Sequence, residues 1–357
     1  MRVVVGMSGG VDSAVAAWLL KQQGHDVIGV FMKNWDEKDE HGHCLADQDW
    51  QDVQQICQVL DIPGYAADFT QEYKERVFFA FLSEYAQGLT PNPDVLCNRE
   101  IKFKAFLDFA EKLGADRLAT GHFARLDPEN RLVKGTDGNK DQSYFLYMLR
   151  KEQLRKALFP AGHLTKAQIR ALAQNIGIPV YAKKDSTGIC FIGERNFRQF
   201  LSQYLKPNPG LIRTDTGEVV GGHQGLMYYT LGQRKGMGIG GRGDGRSFFV
   251  AHKDTARNEL IVVQGNDHPL LYTDAVWVDQ LTWTHEPPAQ PGCEVELSAK
   301  FRYRQADQPI TLTIQENNCG LTSCHQPQRA VTPGQSAVFY RGDICLGGGI
   351  IRKTKRN

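Results

Sequence analysis

The chain has 357 residues, of which 41% are hydrophobic and 23% charged, and its 42 Lys and Arg residues nearly balance its 40 Asp and Glu residues. These values exclude a disordered or collagen-like chain and leave room for two or three domains. Eight cysteines are too few for a disulfide scaffold, and neither a signal segment nor a membrane span is evident, so we expect a cytoplasmic protein.

The first 200 or so residues alternate strand and helix patterns. A β-branched run predicts a buried strand at Arg2–Met7, and the next segment has helical spacing. Further strands are predicted at 26–34 and 117–121, and helices at 14–20, 51–60, 101–113 and 165–175, the last with Thr165 as its cap. Such alternation is typical of an α/β domain with a doubly wound parallel sheet.

The pattern changes near residue 205. Residues 206–210 form a Pro- and Gly-containing breaker cluster, and 221–245 are rich in glycine. From about residue 258, turn residues separate short apolar runs at 260–263, 275–278, 294–297, 310–314 and 336–340. This spacing predicts a small all-β domain, a barrel or a sandwich, at the C-terminus.

The charge is unevenly distributed along the chain. Residues 1–96 carry 6 basic and 15 acidic side chains, whereas residues 97–357 carry 36 basic and 25 acidic ones. A basic excess is usually only a solvated surface, but asymmetry between halves also indicates an anionic partner. The small net charge therefore does not exclude a nucleic-acid substrate.

The strongest local motif is SGGVDS, which follows the first strand and opens the first helix. Glycines allow a ligand to approach the backbone closely, and a helix N-terminus favours an anion, so the motif predicts a phosphate-binding loop. The alternative is an ordinary tight turn capped by Asp12 or Ser13. Neither the Walker pattern nor the dinucleotide fingerprint fits the glycine spacing.

Two of the cysteines have unusual surroundings. Cys97 comes just ahead of a predicted helical run, with Arg99 and Lys102 nearby, and this favours a reactive thiolate. Cys190 lies in the glycine-containing segment DSTGICFIG. Lone cysteines are more often small core residues, which is the expectation for Cys57, Cys293 and Cys345.

Two other Cys- and His-containing fragments superficially resemble metal sites. They are His41-x-His43-Cys44 and Cys319-x4-Cys324-His325, and neither offers four ligands at the usual spacing. We therefore expect no metal site there.

The SGGVDS motif resembles the pyrophosphate loop of the PP-loop ATP pyrophosphatases. Five further segments make the whole chain resemble the bacterial tRNA-specific 2-thiouridylase family within that superfamily: TPNPDVLCNREIKF at 90–103, TGH at 120–122, KDQSYFL at 140–146, YTLGQRKG at 229–236 and FRYR at 301–304. The resemblance implies an ATP pyrophosphatase domain at 1–204, a small central domain at 205–270 and a C-terminal β-barrel at 271–357 that contacts tRNA.

The resemblance also implies the reaction. The family thiolates the wobble uridine of tRNAs for Lys, Glu and Gln, and it spends ATP, with Mg²⁺, to adenylate the C2 oxygen; it has no permanently bound cofactor. Cys190 would carry a persulfide delivered by a sulfur-donor protein. Cys97 would either form a disulfide with Cys190 or attack the base, and Asp94 would act as general acid or base.

Binding residues are carried over by the same resemblance. ATP would lie on Gly6, Met7, Ser8, Gly9, Gly10, Val11, Asp12 and Ser13, with Met32 and Gly121 completing the pocket. Asn92, Pro93 and Asp94 would hold the target base, and tRNA would contact His122, Lys140, Asp141, Gln142, Arg302, Tyr303 and Gln335. A target base must leave its stack, and arginines with aromatics suit RNA, but residues 302–304 also fit an alternating edge strand.

Two other functions use the same features. An ATP-dependent ligase on the same loop would not require Cys97 or Cys190. A non-catalytic RNA-binding module would hold nucleotide without releasing AMP.

Overall fold

The computed structural model describes residues 1–36, 45–184, 197–240 and 245–355. Cys190 and the fragment from His41 to Cys44 lie outside these residues. No helix in the described ranges is both long enough and apolar enough to cross a membrane.

The N-terminal part is built on a five-stranded parallel sheet with the order β3-β2-β1-β4-β7. The strands of this sheet are β1 (Arg2–Met7), β2 (Asp26–Lys33), β3 (Gly64–Asp68), β4 (Arg117–Thr120) and β7 (Ala157–Leu158). Val3 and Val5 pack into the core on one face, and Val4 packs into the core on the other. Both faces are covered, so the predicted doubly wound α/β fold is confirmed.

Helices connect and cover these strands. They are α1 (Val11–Gln22), α2 (Leu45–Leu60), α3 (Thr70–Tyr73), α4 (Phe79–Ala86), α5 (Pro93–Leu96), α6 (Phe106–Lys112), α7 (Ser143–Leu146), α8 (Lys151–Lys156), α9 (Lys166–Ile176) and α10 (Phe197–Ser202). Two π-helical turns, Lys74–Phe78 and Cys97–Ala105, join α3 to α4 and α5 to α6. Thr165 caps α9 by accepting a hydrogen bond from Gln168, as predicted.

A second, four-stranded sheet follows with the order β10-β11-β8-β9. It contains β8 (Gly210–Thr214), β9 (Val219–His223), β10 (Phe248–Asp254) and β11 (Glu259–Gln264). The apolar run 260–263, which the sequence pattern assigns to the C-terminal β domain, lies in β11 and pairs in parallel with β8. That assignment was wrong because a short apolar run does not reveal which sheet it joins.

The C-terminal part is a closed antiparallel barrel. Six strands form it in the order β12-β15-β14-β13-β16-β17, and β17 pairs back with β12. They are β12 (Tyr272–Trp283), β13 (Glu294–Lys300), β14 (Gln308–Gln315), β15 (Cys319–Arg329), β16 (Ser336–Arg341) and β17 (Ile344–Lys355). The predicted barrel is confirmed, and closure removes its exposed edges.

A hairpin from the N-terminal part joins this barrel. It consists of β5 (Ala124–Leu126) and β6 (Leu132–Lys134), and Val133 pairs with Ile344 of β17. The barrel is therefore connected directly to the chain that follows β4.

Candidate active site

The SGGVDS loop leaves the end of β1 and closes on itself. Gly9 has φ +69, and a Cβ there would lie 2.9 Å from the carbonyl oxygen of Asp49. The Ser13 hydroxyl accepts from the Ser8 amide at 3.2 Å and donates to the Gly10 carbonyl at 3.1 Å. Gly10, which has no capping side chain, is the N-cap of α1, so neither Asp12 nor Ser13 acts as the capping residue.

Other predicted nucleotide residues converge on this loop. A Cβ on Gly121 would lie 2.6 Å from the Ser13 nitrogen, so the chain after β4 passes directly against the start of α1. The methyl carbon of Met32 lies 3.7 Å from the Cβ position of Gly6. The strand order reverses between β1 and β4, and open α/β sheets bind their ligands at such a point.

Two lysines that the sequence reasoning missed surround the loop. Lys166 lies 2.7 Å and 2.9 Å from the two carboxylate oxygens of Asp12. Lys183 donates to the Gly9 carbonyl at 3.3 Å and pairs with Asp49 and Asp52. No local pattern marks Lys166; the only available signal for Lys183 was its position just before the segment that contains Cys190.

Cys97 lies inside a helix and not ahead of it. The helix begins at Pro93 with Asn92 as N-cap, and Cys97 stands in its second turn, where it is 3% exposed. The positive end of this helix therefore favours Asp94, at the second helical position, rather than the thiol. The sequence-based prediction was wrong here because the apolar spacing became evident only after residue 100.

Beside Cys97, Asn98 presents a buried amide. Its nitrogen donates to the Phe145 carbonyl at 3.0 Å, but its side-chain oxygen has no hydrogen-bond partner within the described structure. A buried acceptor without a donor is costly. The only sequence signal for this buried oxygen was the position of Asn98 directly after Cys97.

Asp94 and His122 share a cationic neighbour. Burial raises the pKa of the Asp94 carboxyl, and the positive charge of Lys102 opposes that shift. Burial lowers the pKa of His122 well below its usual value, and Lys102 lowers it further. A neutral imidazole and a carboxyl with increased proton affinity are suited to general acid–base chemistry.

His122 is also held in place by its neighbours. Its Nδ1 lies 2.7 Å from the Thr120 hydroxyl, and its ring packs against those of Phe103 and Phe159. Because His122 directly follows Gly121, the same turn reaches both the loop and the helix that carries Asp94.

The predicted tRNA residues at 140–142 make internal contacts. Asp141 is 3% exposed, accepts hydrogen bonds from Gly135 and Ser143, and lies 3.3 Å from the Lys300 ammonium of the barrel. The Gln142 amide oxygen accepts from the Phe123 nitrogen at 2.9 Å, and the Lys140 carbonyl accepts from the Tyr303 hydroxyl. Lys140 and Asp141 therefore join the N-terminal part to the barrel, whereas the Gln142 contact lies within the N-terminal part.

The barrel residues among the predicted tRNA contacts also make contacts within the protein. Arg302 and Tyr303 lie in the turn between β13 and β14, so the alternative of an edge strand is wrong. Arg302 donates to the Ala330 carbonyl, and the Tyr303 ring packs 4.5 Å from that of Phe145. The amide of Gln335 donates to the carbonyl oxygens of Thr90 and Pro91, next to the predicted base-binding segment.

No cluster of three or more His, Cys, Asp or Glu side chains suitable for a metal ion occurs within the described parts of the chain. The turn at Gly121 and His122 contacts both the start of α1 and Phe103, on the helical segment that continues from the helix bearing Asp94 and Cys97. The junction with the barrel lies at Asp141 and Lys300.

Family comparisons cover nearly the whole chain. Residues 1–194 match the family model described as tRNA methyl transferase HUP domain, residues 198–264 the corresponding PRC-barrel domain, and residues 273–351 the aminomethyltransferase beta-barrel domain. Curated relatives named tRNA-specific 2-thiouridylase MnmA include one from Alkaliphilus oremlandii, 56% identical over 98% of this chain and 96% of its own length. Another, from Chromobacterium violaceum, is 57% identical over 98% of this chain and 92% of its own length.

Proposed function

The chain belongs to the tRNA-specific 2-thiouridylase family, and from that membership we propose that it replaces the C2 oxygen of the wobble uridine with sulfur in tRNAs for Lys, Glu and Gln. The observation that carries this proposal is the turn at Gly121 and His122. Gly121 lies against the start of α1, and His122 packs against Phe103, on the helical segment that continues from the helix bearing Asp94 and Cys97. A loop suited to phosphates, linked through this turn to a helix with a carboxyl and a buried thiol, fits the activation of an oxygen followed by attack of sulfur.

ATP is the proposed cosubstrate, used with Mg²⁺. The loop is suited to a phosphate chain because it leads directly into the N-terminus of α1, whose first backbone N–H groups favour an anion. Gly6, Met7, Ser8, Gly10, Val11, Asp12 and Ser13 complete the proposed ATP site, with Met32 at its side.

The proposed reaction proceeds in two stages. The uridine C2 oxygen attacks the α-phosphorus of ATP, and pyrophosphate leaves. Sulfur from a persulfide on Cys190 then attacks C2, and the oxygen departs as part of AMP. Asp94, whose pKa is raised by burial, supplies or removes the proton that moves between the base and its surroundings.

Cys97 has one of two roles in the second stage. Its thiolate attacks Cys190, which breaks the persulfide bond, forms a Cys97–Cys190 disulfide and leaves the sulfur for C2; a cellular thiol then reduces the disulfide. Alternatively, the Cys97 thiolate attacks C2 and displaces AMP, and the outer sulfur of the Cys190 persulfide then attacks C2 and displaces Cys97. Attack of the freed Cys97 thiolate on Cys190 breaks the persulfide S–S bond and gives 2-thiouridine and the same disulfide. The persulfide sulfur comes from a donor protein that itself carries a persulfide.

The tRNA surface is proposed to span all three parts of the chain. We assign residues 1–204 to catalysis, 205–270 to a small central domain and 271–357 to a tRNA-contacting barrel. The basic excess after residue 96 suits a phosphate backbone. Asn92, Pro93 and Asp94 are proposed to hold the base, and His122, Lys140, Asp141, Gln142, Arg302, Tyr303 and Gln335 to support the bound RNA.

The test is one assay with tRNA, ATP, Mg²⁺, a thiol reductant and inorganic sulfide or a persulfide donor, in which AMP and 2-thiouridine are both measured. The wild-type chain should form both products in equal amounts. Cys97→Ser and Cys190→Ser should form no 2-thiouridine with the persulfide donor. Cys293→Ser should behave as wild type, because Cys293 is exposed and not the core residue that the sequence led us to expect.

The other functions predict different results. A ligase would keep full ATP-dependent activity in both cysteine variants, and a non-catalytic RNA module would release no AMP. A methyltransferase, the activity named in the matched domain descriptions, would transfer label from S-adenosylmethionine to tRNA without ATP.

A further inference from the structure

Residues 88–91 form a strap between two helical segments. The strap follows α4 and ends immediately before Asn92, the N-cap of the helix that carries Asp94 and Cys97. Its Thr90 is 9% exposed, and Pro91 is buried. Any shift of the strap therefore moves the start of the helix that carries both predicted reactive groups.

The central domain holds the first residue of the strap. The Lys253 ammonium, on β10, donates to the Gly88 carbonyl at 3.0 Å. That carbonyl lies just beyond the C-terminus of α4, where a positive charge is favoured by the helix dipole. Burial lowers the pKa of Lys253 to about 8, which shows that removing the ammonium from water has a cost in free energy. The hydrogen bond to the Gly88 carbonyl forms in spite of that cost.

The barrel holds the rest of the strap. The Thr90 nitrogen donates to the Pro333 carbonyl at 3.0 Å. The Gln335 side-chain nitrogen donates to the Thr90 carbonyl at 2.8 Å and to the Pro91 carbonyl at 3.3 Å. The central domain thus binds the strap at its first residue, and the barrel binds it at its last two residues.

We propose that Lys253 and Gln335 are positioning residues that fix the strap, so that the central domain and the barrel together set the place of Asp94 and Cys97. This inference rests on the proposed function for the reaction that it serves. Lys253 acts through the Gly88 carbonyl and Gln335 through the Thr90 and Pro91 carbonyls, and neither needs to touch the base. Gln335, assigned above to RNA contact by resemblance, gains a second role in the free enzyme.

Catalysis requires precise placement of the reacting groups. A catalytic group displaced by about 1 Å can lose about 100-fold in rate. Lys253 and Gln335 supply three of the hydrogen bonds that hold the strap, and each ends on a backbone carbonyl, so removal of a donor leaves an acceptor without its partner.

The experiment uses the full chain with Lys253→Met, which removes the donor but keeps the apolar stem, and Gln335→Glu, which replaces the donating amide by an acceptor. Matched controls are Lys206→Met and Gln326→Glu, which make the same charge changes at exposed positions. The measurements are the single-turnover rate of 2-thiouridine formation at saturating tRNA, the tRNA Kd, and amide hydrogen exchange of residues 88–97.

Both strap variants should lower the rate at saturating tRNA by about ten-fold or more. Lys253→Met should leave the tRNA Kd nearly unchanged, whereas Gln335→Glu should also raise it, because Gln335 is proposed to contact the RNA. Exchange at residues 88–97 should become faster, the controls should match wild type, and Lys253→Arg should recover most of the rate. If Lys253→Met does not fold, Gln335→Glu tests the proposal by itself. We expect that variant to fold, because Gln335 is only partly buried.

An unchanged saturated rate, or a loss confined to the tRNA Kd with unchanged exchange, would overturn the inference. A wild-type chain that forms no 2-thiouridine would overturn the proposed function instead. Hydrogen exchange needs no thiolation, so the two failures are distinguishable.

Discussion

Lys183 donates a hydrogen bond from its ammonium to the Gly9 carbonyl at 3.3 Å, which ties the glycine loop to the chain just before the segment that contains Cys190. The same ammonium lies 2.8 Å from Asp49 and 2.6 Å from Asp52. Burial lowers the pKa of Lys183, but hydrogen bonds to these two carboxylates outweigh that effect and raise it. Lys183 therefore offsets one of two negative charges next to a loop suited to phosphates.

Lys183→Met should weaken ATP binding more than it weakens the fold. Without the ammonium, Asp49 and Asp52 repel a phosphate chain, and we expect the KM for ATP to rise by about ten-fold. The ion pair is partly exposed, so the free energy of unfolding should fall by no more than about 1 kcal/mol. Steady-state kinetics and urea denaturation measure the two effects.

The matched control for this prediction is Lys21→Met. Lys21, in the last turn of α1, also bonds a carbonyl and a carboxylate, those of Leu60 and Asp61, but far from the loop. Its substitution should leave the KM for ATP unchanged. Equal increases in the two variants would contradict a local role for Lys183.

Gly121→Ala should disable the loop. The added Cβ would lie 2.6 Å from the Ser13 nitrogen and 2.8 Å from the Asp12 carbonyl carbon, and backbone atoms cannot move aside easily. We expect AMP formation to be lost and the free energy of unfolding to fall by about 1–3 kcal/mol. Gly138→Ala, with no atom within 4 Å of its Cβ position, is the control and should match wild type.

Asp94→Asn should stabilise the protein at neutral pH while reducing thiolation. Burial raises the pKa of Asp94 in the folded state. A carboxyl whose folded pKa is raised contributes stability below its unfolded pKa and loses that contribution as the pH rises through the folded value. The gain of the variant over wild type in urea denaturation should therefore shrink as the pH is lowered towards 4, near the ordinary pKa of Asp.

Asp68→Asn should change the free energy of unfolding at neutral pH in the opposite direction. Hydrogen bonds from Thr70 lower the pKa of Asp68, so its carboxylate contributes stability at neutral pH that is lost in acid. This variant should be less stable than wild type at neutral pH. If both variants shift stability in the same direction, the assignment of Asp94 as a destabilised carboxylate is incorrect.

Asp141→Ala should lower the stability of the fold, and any effect on RNA binding should follow from that loss. The substitution leaves the Lys300 ammonium without its close partner in a nearly buried site. Removal of one member of a buried pair costs about 3–5 kcal/mol. Asp343→Ala, which removes an exposed carboxylate 3.9 Å from Arg125, is the control and should change stability little.

The tRNA Kd separates the two roles of Asp141. Asp141 is proposed to support the bound RNA through the barrel junction that it faces, so the tRNA Kd of Asp141→Ala should rise together with the loss of stability. A large increase in the tRNA Kd with unchanged stability would show instead that Asp141 contacts the RNA.

Local patterns identified the parts of the fold whose signals lie close together in sequence. The strand at Arg2–Met7, the cap at Thr165 and the strand–loop–helix that contains SGGVDS were predicted. The strands β15 and β17 were missed because polar residues in one and glycines in the other interrupt the apolar alternation. Cys97 was predicted to lie just ahead of a helix because Asn92 and Pro93 were not recognised as the N-cap and the first residue of that helix.

The sequence by itself determined the chemistry available to this protein: a glycine loop, a carboxyl, and two cysteines in polar segments. Only the tertiary structure decided which groups meet. Gln335 reaches Thr90 across 245 residues, and Lys253 reaches Gly88 across 165. Such contacts have no local pattern, because they form only when separately buried sheets bring distant backbone carbonyls to the same place.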